Sequence, residues 1–387
     1  MMLTNYCNYI EKGIRLKLYS LNNEAYIFTK PCCHMTHDLI PTEISKFTKL
    51  DSIDVTDIMN IEPMQYYRNY FENNEGLHPA CVSCINYESK GLESPRLSIN
   101  KVDNKDYDIN RLDVVLGNSC NLACPFCSSH ASSLIEKLSN KLDRQDRPAG
   151  WIPLKEVHDF DQPQANHTSA TIAEILKHYK VHTLKLIGGE PFLKENWDGI
   201  ADVIDKGYCN DLHLEITTNG TIINDKIINS LAKVKSVNIC ISVDSVGNNY
   251  DFIRWPHSWE KMYSNLNYLN NKDLNNIRVI IFNLVNIFNF EYLPQIEKIH
   301  SELKYPIGWS CEMQPITHLQ NYQNLPAHII NYVKSQIKTE SLQQALLPLD
   351  HNHSKESLKK EFEVLLTQRN MKAKDVIGPM TREYFEL

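Results

Sequence analysis

The chain has 387 residues, of which 42% are hydrophobic and 22% charged, and its formal net charge is −7. This length allows two or three domains, and the composition is ordinary for a globular protein. A net acidic chain lacks the basic footprint of a nucleic-acid-binding protein. No long apolar run and no signal-peptide pattern occur, so we expect a cytoplasmic protein with no membrane and no nucleic-acid partner.

The N-terminal region, residues 1–105, has the pattern of short strands and loops. Residues 13–20 and 24–29 are expected to form two strands joined by a turn. Residues 44–50 and 58–74 are expected to be helical. This region carries five of the eleven cysteines.

Residues 106–318 alternate apolar strands with amphipathic helices. We predict strands at 111–117, 182–188, 212–218, 236–244, 276–285 and 307–313. Such alternation favours parallel β/α units, here a partial (β/α)6 barrel within an α/β protein, with ligands at the C-terminal ends of the strands. Residues 139–168 form a long polar connection, which is usually functional or disordered. Residues 319–387 are expected to be a helical extension of one or two helices.

Three cysteines directly follow the first predicted strand of this region, in the run Cys120-x3-Cys124-x2-Cys127. Thiolates are the usual ligands of iron–sulfur clusters. Three cysteines leave one iron of a [4Fe–4S] cluster without a protein ligand, and an open position is what a reactive metal site needs. The alternatives are buried thiols or a zinc site.

This motif, with Asn121 after its first cysteine and Phe126 before its third, resembles the radical SAM superfamily. The resemblance extends over roughly residues 110–318. It implies a cluster that binds S-adenosylmethionine, accepts an electron from a donor such as flavodoxin or ferredoxin, and cleaves the cofactor to a 5′-deoxyadenosyl radical. That radical abstracts a hydrogen from the substrate.

Several residues near the strand ends match the same resemblance. It implies that Gly188, Gly189 and Glu190 hold the methionine amino group. Polar groups after the next strands would contact the ribose, and Arg254 would pair with the methionine carboxylate. The cofactor-binding residues expected on this basis are Phe126, Gly188, Gly189, Glu190, Thr218, Asn219, Ser242, Asp244 and Arg254. The alternatives are a plain turn at 188–191 and a solvated helix arginine at 254.

The N-terminal cysteines form a second candidate metal site. Cys81-Val-Ser-Cys84 is a CxxC pair, and Cys7 and the pair Cys32-Cys33 lie upstream. The set resembles a twitch region, a reduced form of the SPASM domain, which implies an auxiliary iron–sulfur cluster. Cys7, Cys32, Cys81 and Cys84 are the expected ligands, with Cys33 as the substitute for Cys32. Ile85 replaces the usual aromatic, so a structural zinc site stays open.

The predicted function is radical hydrogen abstraction that oxidises, cross-links or epimerises a peptide. An extended peptide would enter a partial barrel along an exposed strand edge. The alternative substrate is a sugar or other small polar metabolite. Its candidate loop contacts are Asp159, Asp161, His167 and Asn249, with residues 139–168 as a lid. A non-catalytic metal-binding scaffold is disfavoured because the strand-end motifs would then have no task, and tRNA modification lacks a basic stripe.

Overall fold

The computed structural model describes residues 7–21, 24–36, 48–73, 76–101, 106–157, 165–303, 305–311, 320–346 and 355–387. The chain divides into two compact units. The first unit comprises residues 1–118, 159–216 and 225–237, and the second comprises residues 119–158, 217–224 and 238–387. The domain boundaries at 105 and 318 remain predictions from the sequence.

The secondary structure follows the predicted alternation. In chain order the strands are β1 (Gly13–Leu21), β2 (Glu24–Lys30), β3 (Thr48–Lys49), β4 (Ile109–Val115), β5 (Val181–Ile187), β6 (His213–Thr218), β7 (Ser236–Ser242), β8 (Ile277–Leu284) and β9 (Ile307–Ser310). The helices are α1 (Asn8–Lys12), α2 (Glu62–Asn73), α3 (Val82–Ser89), α4 (Pro95–Asn100), α5 (Ser133–Ser139), α6 (Leu154–Val157), α7 (Ala165–His178), α8 (Lys194–Asp205), α9 (Asp225–Leu231), α10 (Gly247–Ile253), α11 (Trp259–Asn270), α12 (Leu293–Leu303), α13 (Ala327–Gln336), α14 (Glu340–Ala345), α15 (Lys355–Arg369), α16 (Ala373–Val376) and α17 (Pro379–Phe385). Within the described ranges, no helix is both long enough and apolar enough to cross a membrane.

The first unit is built on a sheet with the strand order β3-β2-β1-β4-β5-β6. β1 and β2 form the predicted antiparallel hairpin. β1 also pairs in parallel with β4, so the N-terminal region extends the sheet of the later strands. The helix predicted over residues 44–50 is wrong at residues 48 and 49, which form strand β3. Thr48 and Lys49 instead pair with Ile27 and Tyr26 of β2. The outer edge of β2 can form backbone hydrogen bonds with a further strand, and β-branched residues such as threonine favour strands.

The two faces of this sheet differ sharply in chemistry. One face is largely apolar, and eight of its side chains are at most 1% exposed: Ile14, Leu16, Leu112, Val114, Leu184, Leu186, Leu214 and Ile216. Because side chains alternate along a strand, the register places charges side by side on the opposite face. We call these five residues the charged row: Lys30, Arg15, Asp113, Lys185 and Glu215.

One further arginine ties the charged row together. Arg111 Nη2 lies 2.6 Å from Glu215 Oε2, and Arg111 Nε lies 2.9 Å from Asp113 Oδ1. Asp113 is 1% exposed, so its charge is compensated inside the protein by the neighbouring cations rather than by water.

In the second unit, β7, β8 and β9 are neighbours in that order, and β8 and β9 are parallel. The predicted strand over 307–313 ends at Ser310, and residues 312–319 lie outside the described part of the chain. The C-terminal extension was predicted as one or two helices, but its described residues, 320–346 and 355–387, form five, α13 to α17.

The C-terminal extension contributes to the core of the second unit. Its helix α15 buries the stripe of Leu358, Phe362, Leu365 and Leu366, each at most 8% exposed. These side chains belong to the same apolar cluster as Phe252, Phe288 and Trp151. Fully burying side chains of this size contributes roughly 1.5–3 kcal/mol each. The extension is therefore an integral part of this unit.

Candidate functional site

The cysteine loop, residues 120–127, connects β4 to α5. Cys124 is 5% exposed, while Cys120 and Cys127 are half-buried. The loop is held by the N-terminus of α5: Ser133 Oγ accepts from the Cys120 N–H at 3.3 Å and donates to the Cys120 carbonyl at 3.2 Å. Ser132, the capping residue of α5, donates to the Leu122 carbonyl at 2.5 Å. The loop backbone is thus fixed by side chains outside it.

The environment of the three thiols fits a metal cluster. Burial, followed by the charge of Cys124, raises the pKa of the Cys127 thiol to about 12. Burial also raises the pKa of Cys124, against the effect of the Arg254 charge. Thiolates at these positions therefore need a cationic partner, and a coordinating metal supplies one. Among the described side chains, no three of His, Cys, Asp or Glu lie close enough to hold one metal ion. A cubane differs because each cysteine binds a different iron.

Arg254 lies at the C-terminal end of α10 and points at the cysteine loop. Its Nη1 is 3.5 Å from Cys124 Sγ, and its Nη2 forms an ion pair with the Asp244 carboxylate. The guanidinium also lies 5.6 Å from the centroid of the Phe126 ring. Arg254 is 7% exposed and Asp244 is fully buried, so the alternative of a solvated helix arginine is wrong.

Asp244 is fixed independently of its ion pair. Its Oδ1 accepts from the Leu284 N–H at 2.6 Å, and its backbone has a φ of 60°, in the left-handed region. Burial disfavours the charged form of Arg254. The negative charges of Asp244 and then Cys124 outweigh this effect and raise the pKa of the guanidinium above its usual value. The guanidinium of Arg254 therefore stays protonated beside Cys124 Sγ, with Asp244 as its counter-ion.

The turn after β6 is joined directly to the cysteine loop. Asn219 Nδ2 donates to Asn121 Oδ1 at 2.8 Å and lies 3.8 Å from Cys120 Sγ. Asn121 Nδ2 in turn donates to Thr221 Oγ1 at 2.9 Å. Gly220 has a φ of 71°, and a Cβ there would lie 2.6 Å from Ile241 Cγ2, so the turn requires glycine. Asn219 is thus placed beside the loop, whereas Thr218 Oγ1 accepts from the Gly220 N–H at 3.0 Å.

The Gly188-Gly189-Glu190 segment forms the turn between β5 and α8 in the first unit. Both glycines have positive φ values, 79° and 56°. A Cβ at Gly188 would lie 2.7 Å from Val115 Cγ1. Glu190 is fully buried, and its Oε1 accepts from the Phe192 N–H at 3.1 Å. The cofactor contacts expected of these residues, and of half-buried Ser242 at the end of β7, remain predictions.

Four of the five N-terminal cysteines come together in the first unit. Cys7, Cys32 and Cys81 belong to one buried cluster with aromatic side chains, and Cys84 is equally buried at 7% exposure. Burial, reinforced by Cys7 and then Cys81, raises the pKa of Cys32 well above its usual value. Burial also raises the pKa of Cys81 to about 12, and the charges of Cys7 and Cys84 add to the rise.

Cys33 has different surroundings from its neighbour Cys32. It is half-buried, and burial followed by the charge and hydrogen bond of Asp113 raises its pKa. It therefore lies next to the charged row rather than among the other cysteines.

Some residues proposed for a small substrate do not form a site. Asn249 is fully buried, and its side chain donates to the carbonyls of Phe288 at 2.9 Å and Val376 at 2.6 Å, so the substrate contact predicted for it is wrong. Asp159, Asp161 and the His167 side chain lie outside the described residues. The sequence interpretation also missed Arg369, which ends the apolar stripe of α15 and donates to the Ala123 carbonyl at 2.8 Å.

Residues 114–298 match the model of the Radical SAM superfamily. The chain carries a radical SAM domain. Domains of this superfamily use a [4Fe–4S] cluster and S-adenosylmethionine, as the sequence predicted. The expected fold, an α/β partial barrel of parallel β/α units, is confirmed by this match and by the strand–helix alternation.

Three solved structures show what this chain is similar to. One is anSMEcpe with bound AdoMet, at 15% identity over 52% of this chain and 49% of that chain, with a TM-score of 0.37. A second is SuiB of Streptococcus suis bound to the precursor peptide SuiA, at 14% identity over 96% and 73%, with a TM-score of 0.36. A third is the radical S-adenosylmethionine methyltransferase TsrM of Kitasatospora setae with tryptophan, at 10% identity over 54% and 38%, with a TM-score of 0.36.

The alignment spans about half the length of anSMEcpe. No protein of curated function matches the chain.

Proposed function

We propose that this protein is a radical SAM enzyme whose SAM-binding [4Fe–4S] cluster is held by Cys120, Cys124 and Cys127. The observation that carries the proposal is the three-thiol loop inside the matching domain, with a buried cation at Cys124. When bound, the cluster and S-adenosylmethionine supply one-electron chemistry that generates a hydrogen-abstracting radical. The protein's own residues orient the cofactor and keep water out.

The surrounding residues have separable roles in this proposal. Asn219 and Asn121 hold the loop to the turn after β6. Asp244 fixes Arg254 as a counter-charge for the Cys124 thiolate. Arg254 Nε is buried and has no hydrogen-bond partner among the described residues. We propose that this N–H donates a hydrogen bond to the methionine carboxylate, which is the contact predicted for Arg254 from the sequence.

We further propose that Cys7, Cys32, Cys81 and Cys84 hold an auxiliary iron–sulfur cluster. Their convergence supports this, and Cys33 faces Asp113 instead. By the twitch-like resemblance, the substrate is a peptide that the enzyme oxidises, cross-links or epimerises. We place it in the cytoplasm, with flavodoxin or ferredoxin as electron donor. Entry along the edge of β4 is excluded because β1 occupies that edge.

The charged row is the observation that favours a polar substrate, whether a small metabolite or an acidic peptide. Its cations Lys30, Arg15 and Lys185 outnumber the carboxylates of Asp113 and Glu215, and Arg111 adds another positive charge. A half-buried face with a positive excess attracts an acidic group.

The test compares metal content and cofactor cleavage in three variants. Replacing Cys120, Cys124 and Cys127 by Ala should abolish cleavage of S-adenosylmethionine. Replacing Cys81 and Cys84 by Ala should lower iron from about eight to about four per chain, as for one lost cubane, and leave some uncoupled cleavage. Cys209→Ala is the matched control because Cys209 is also buried, at 6% exposure.

The readouts are iron analysis and electron paramagnetic resonance after anaerobic reconstitution. Wild-type protein that binds no iron would refute the whole proposal. If a folded Cys81/Cys84 variant no longer cleaved S-adenosylmethionine, the proposal that cleavage depends only on the cysteine loop would be refuted.

A further inference from the structure

Arg369, the last residue of α15, bridges two parts of the SAM-cluster site. Its Nη2 donates to the Ala123 carbonyl at 2.8 Å, within the cysteine loop. Its Nη1 donates to the Phe252 carbonyl, in the last turn of α10, two residues before Arg254. The guanidinium also lies 4.8 Å from the centroid of the Phe252 ring. One planar fork therefore fixes both the cysteine loop and the helix that carries Arg254.

The charge of Arg369 is held at a position where burial disfavours it. Arg369 is 5% exposed, and both of its acceptors are uncharged carbonyl groups. Burial lowers the pKa of its guanidinium to about 9, while Cys124 and then Glu361 work against that fall. Its Nε is buried without a hydrogen-bond partner among the described residues. A buried cation with neutral partners is destabilising, so packing alone does not account for an arginine at this position.

The same helix reaches the other side of Cys124 through a second contact. Glu361, two turns before Arg369, accepts from the Ala149 N–H at 2.9 Å and from Gln320 Nε2 at 2.6 Å. Gln320 Nε2 also donates to the Pro125 carbonyl at 3.0 Å. The carbonyls of both residues that flank Cys124 are thus hydrogen-bonded by the C-terminal extension, directly by Arg369 and through Gln320 on the other side.

We propose that Arg369 is a positioning residue for the cysteine loop and that its charge favours the reduced state of the cluster bound there. The inference rests on the proposed cluster ligands. Reduction adds one negative charge to the cluster, and a fixed positive charge in a dry interior stabilises the reduced form more than the oxidised form. The C-terminal extension would then take part in setting how readily the first electron is accepted.

Two substitutions of Arg369 separate its charge from its geometry. Arg369→Gln removes the charge, while Arg369→Lys keeps the charge but cannot span both carbonyls as a fork does. Lys360→Gln is the matched control, because it removes the same charge from an exposed position on the same helix.

The cluster potential is measured by redox titration with electron paramagnetic resonance on the reconstituted full chain. Arg369→Gln should shift the reduction equilibrium about tenfold towards the oxidised form, which equals about 59 mV for one electron. Arg369→Lys and Lys360→Gln should stay close to wild type.

The second readout is amide hydrogen exchange in the metal-free protein, which tests the positioning role without the cluster. Both Arg369 variants should exchange faster than wild type over residues 121–126, and Lys360→Gln should not. If Arg369→Gln does not fold, Arg369→Lys still tests the proposal, through faster exchange at an unchanged potential.

The proposal is overturned if the loaded Arg369→Gln variant has the wild-type potential, or if loop exchange is unchanged in both Arg369 variants. These outcomes differ from the failure of the proposed function, in which wild-type protein itself takes up no iron.

Discussion

The buried pair of Asp244 and Arg254 gives the sharpest test of the site in the absence of any cofactor. Asp244→Asn keeps the shape of the side chain but leaves the Arg254 guanidinium buried without its counter-charge. Asp244 is fully buried and Arg254 is 7% exposed, so water cannot replace the lost partner. Breaking such a pair costs about 3–5 kcal/mol. Replacing both residues, as in Asp244→Asn with Arg254→Met, should be less damaging than the sum of the two single changes.

The assay is urea unfolding of the metal-free protein, followed by tryptophan fluorescence. Four of the five tryptophans, Trp151, Trp255, Trp259 and Trp309, lie in the second unit together with the pair, so the signal reports the unfolding of that unit.

The matched control for this assay is an exposed ion pair of the same unit. Glu386 pairs with Lys355 at 2.5 Å, and its side chain is 72% exposed. Glu386→Gln should therefore leave the urea midpoint close to that of the wild type, because an exposed ion pair adds little to stability. An Asp244→Asn effect as small as that of Glu386→Gln, or strictly additive effects of the Asp244 and Arg254 changes, would refute the reasoning.

Two further predictions concern the first unit. Burial, followed by the charge of Arg15, lowers the pKa of Lys17 from 10.5 to about 8. Between these values the unfolded chain binds more protons, so stability should rise by up to about 3 kcal/mol from pH 8 to 10.5. The melting temperature of the wild type should therefore rise over this pH range. Lys17→Met should abolish the rise, whereas Lys90→Met, a control at an exposed position, should retain it. Separately, Cys32→Ser should lower the iron content of reconstituted protein and Cys33→Ser should not; the reverse result would reassign the ligand.

The strands were predictable because their apolar runs are set by local sequence. β5 and β8 were placed to within one residue at each end, and α15 matches the residues chosen for its apolar stripe. The error at residues 44–50 has the opposite origin. A two-residue strand has no periodicity of its own, and Thr48 and Lys49 are extended only because β2 provides a partner.

The residues of the candidate site were predictable only where they occur at a characteristic spacing in the sequence. The three cysteines of the loop have such a spacing, and Arg254 follows Asp244 by ten residues. The sequence did not indicate that these two form a buried pair, because that depends on how α10 packs. Arg369 is 246 positions from the carbonyl that it binds, and in the sequence it is only a basic residue at the end of an apolar stripe. Contacts of that range carry no local signal.

The parallel pairing of β1 with β4 joins residues as distant in the chain as Gly13 and Arg111. During synthesis β1 must wait for β4 to be made, so this part of the sheet has a high contact order and is expected to form late and slowly. A protein that started at residue 106 would leave the edge of β4 open, with unpaired N–H and C=O groups that recruit strands from other molecules. The N-terminal cysteine region is therefore not an interchangeable module, because removing it would expose a surface for aggregation.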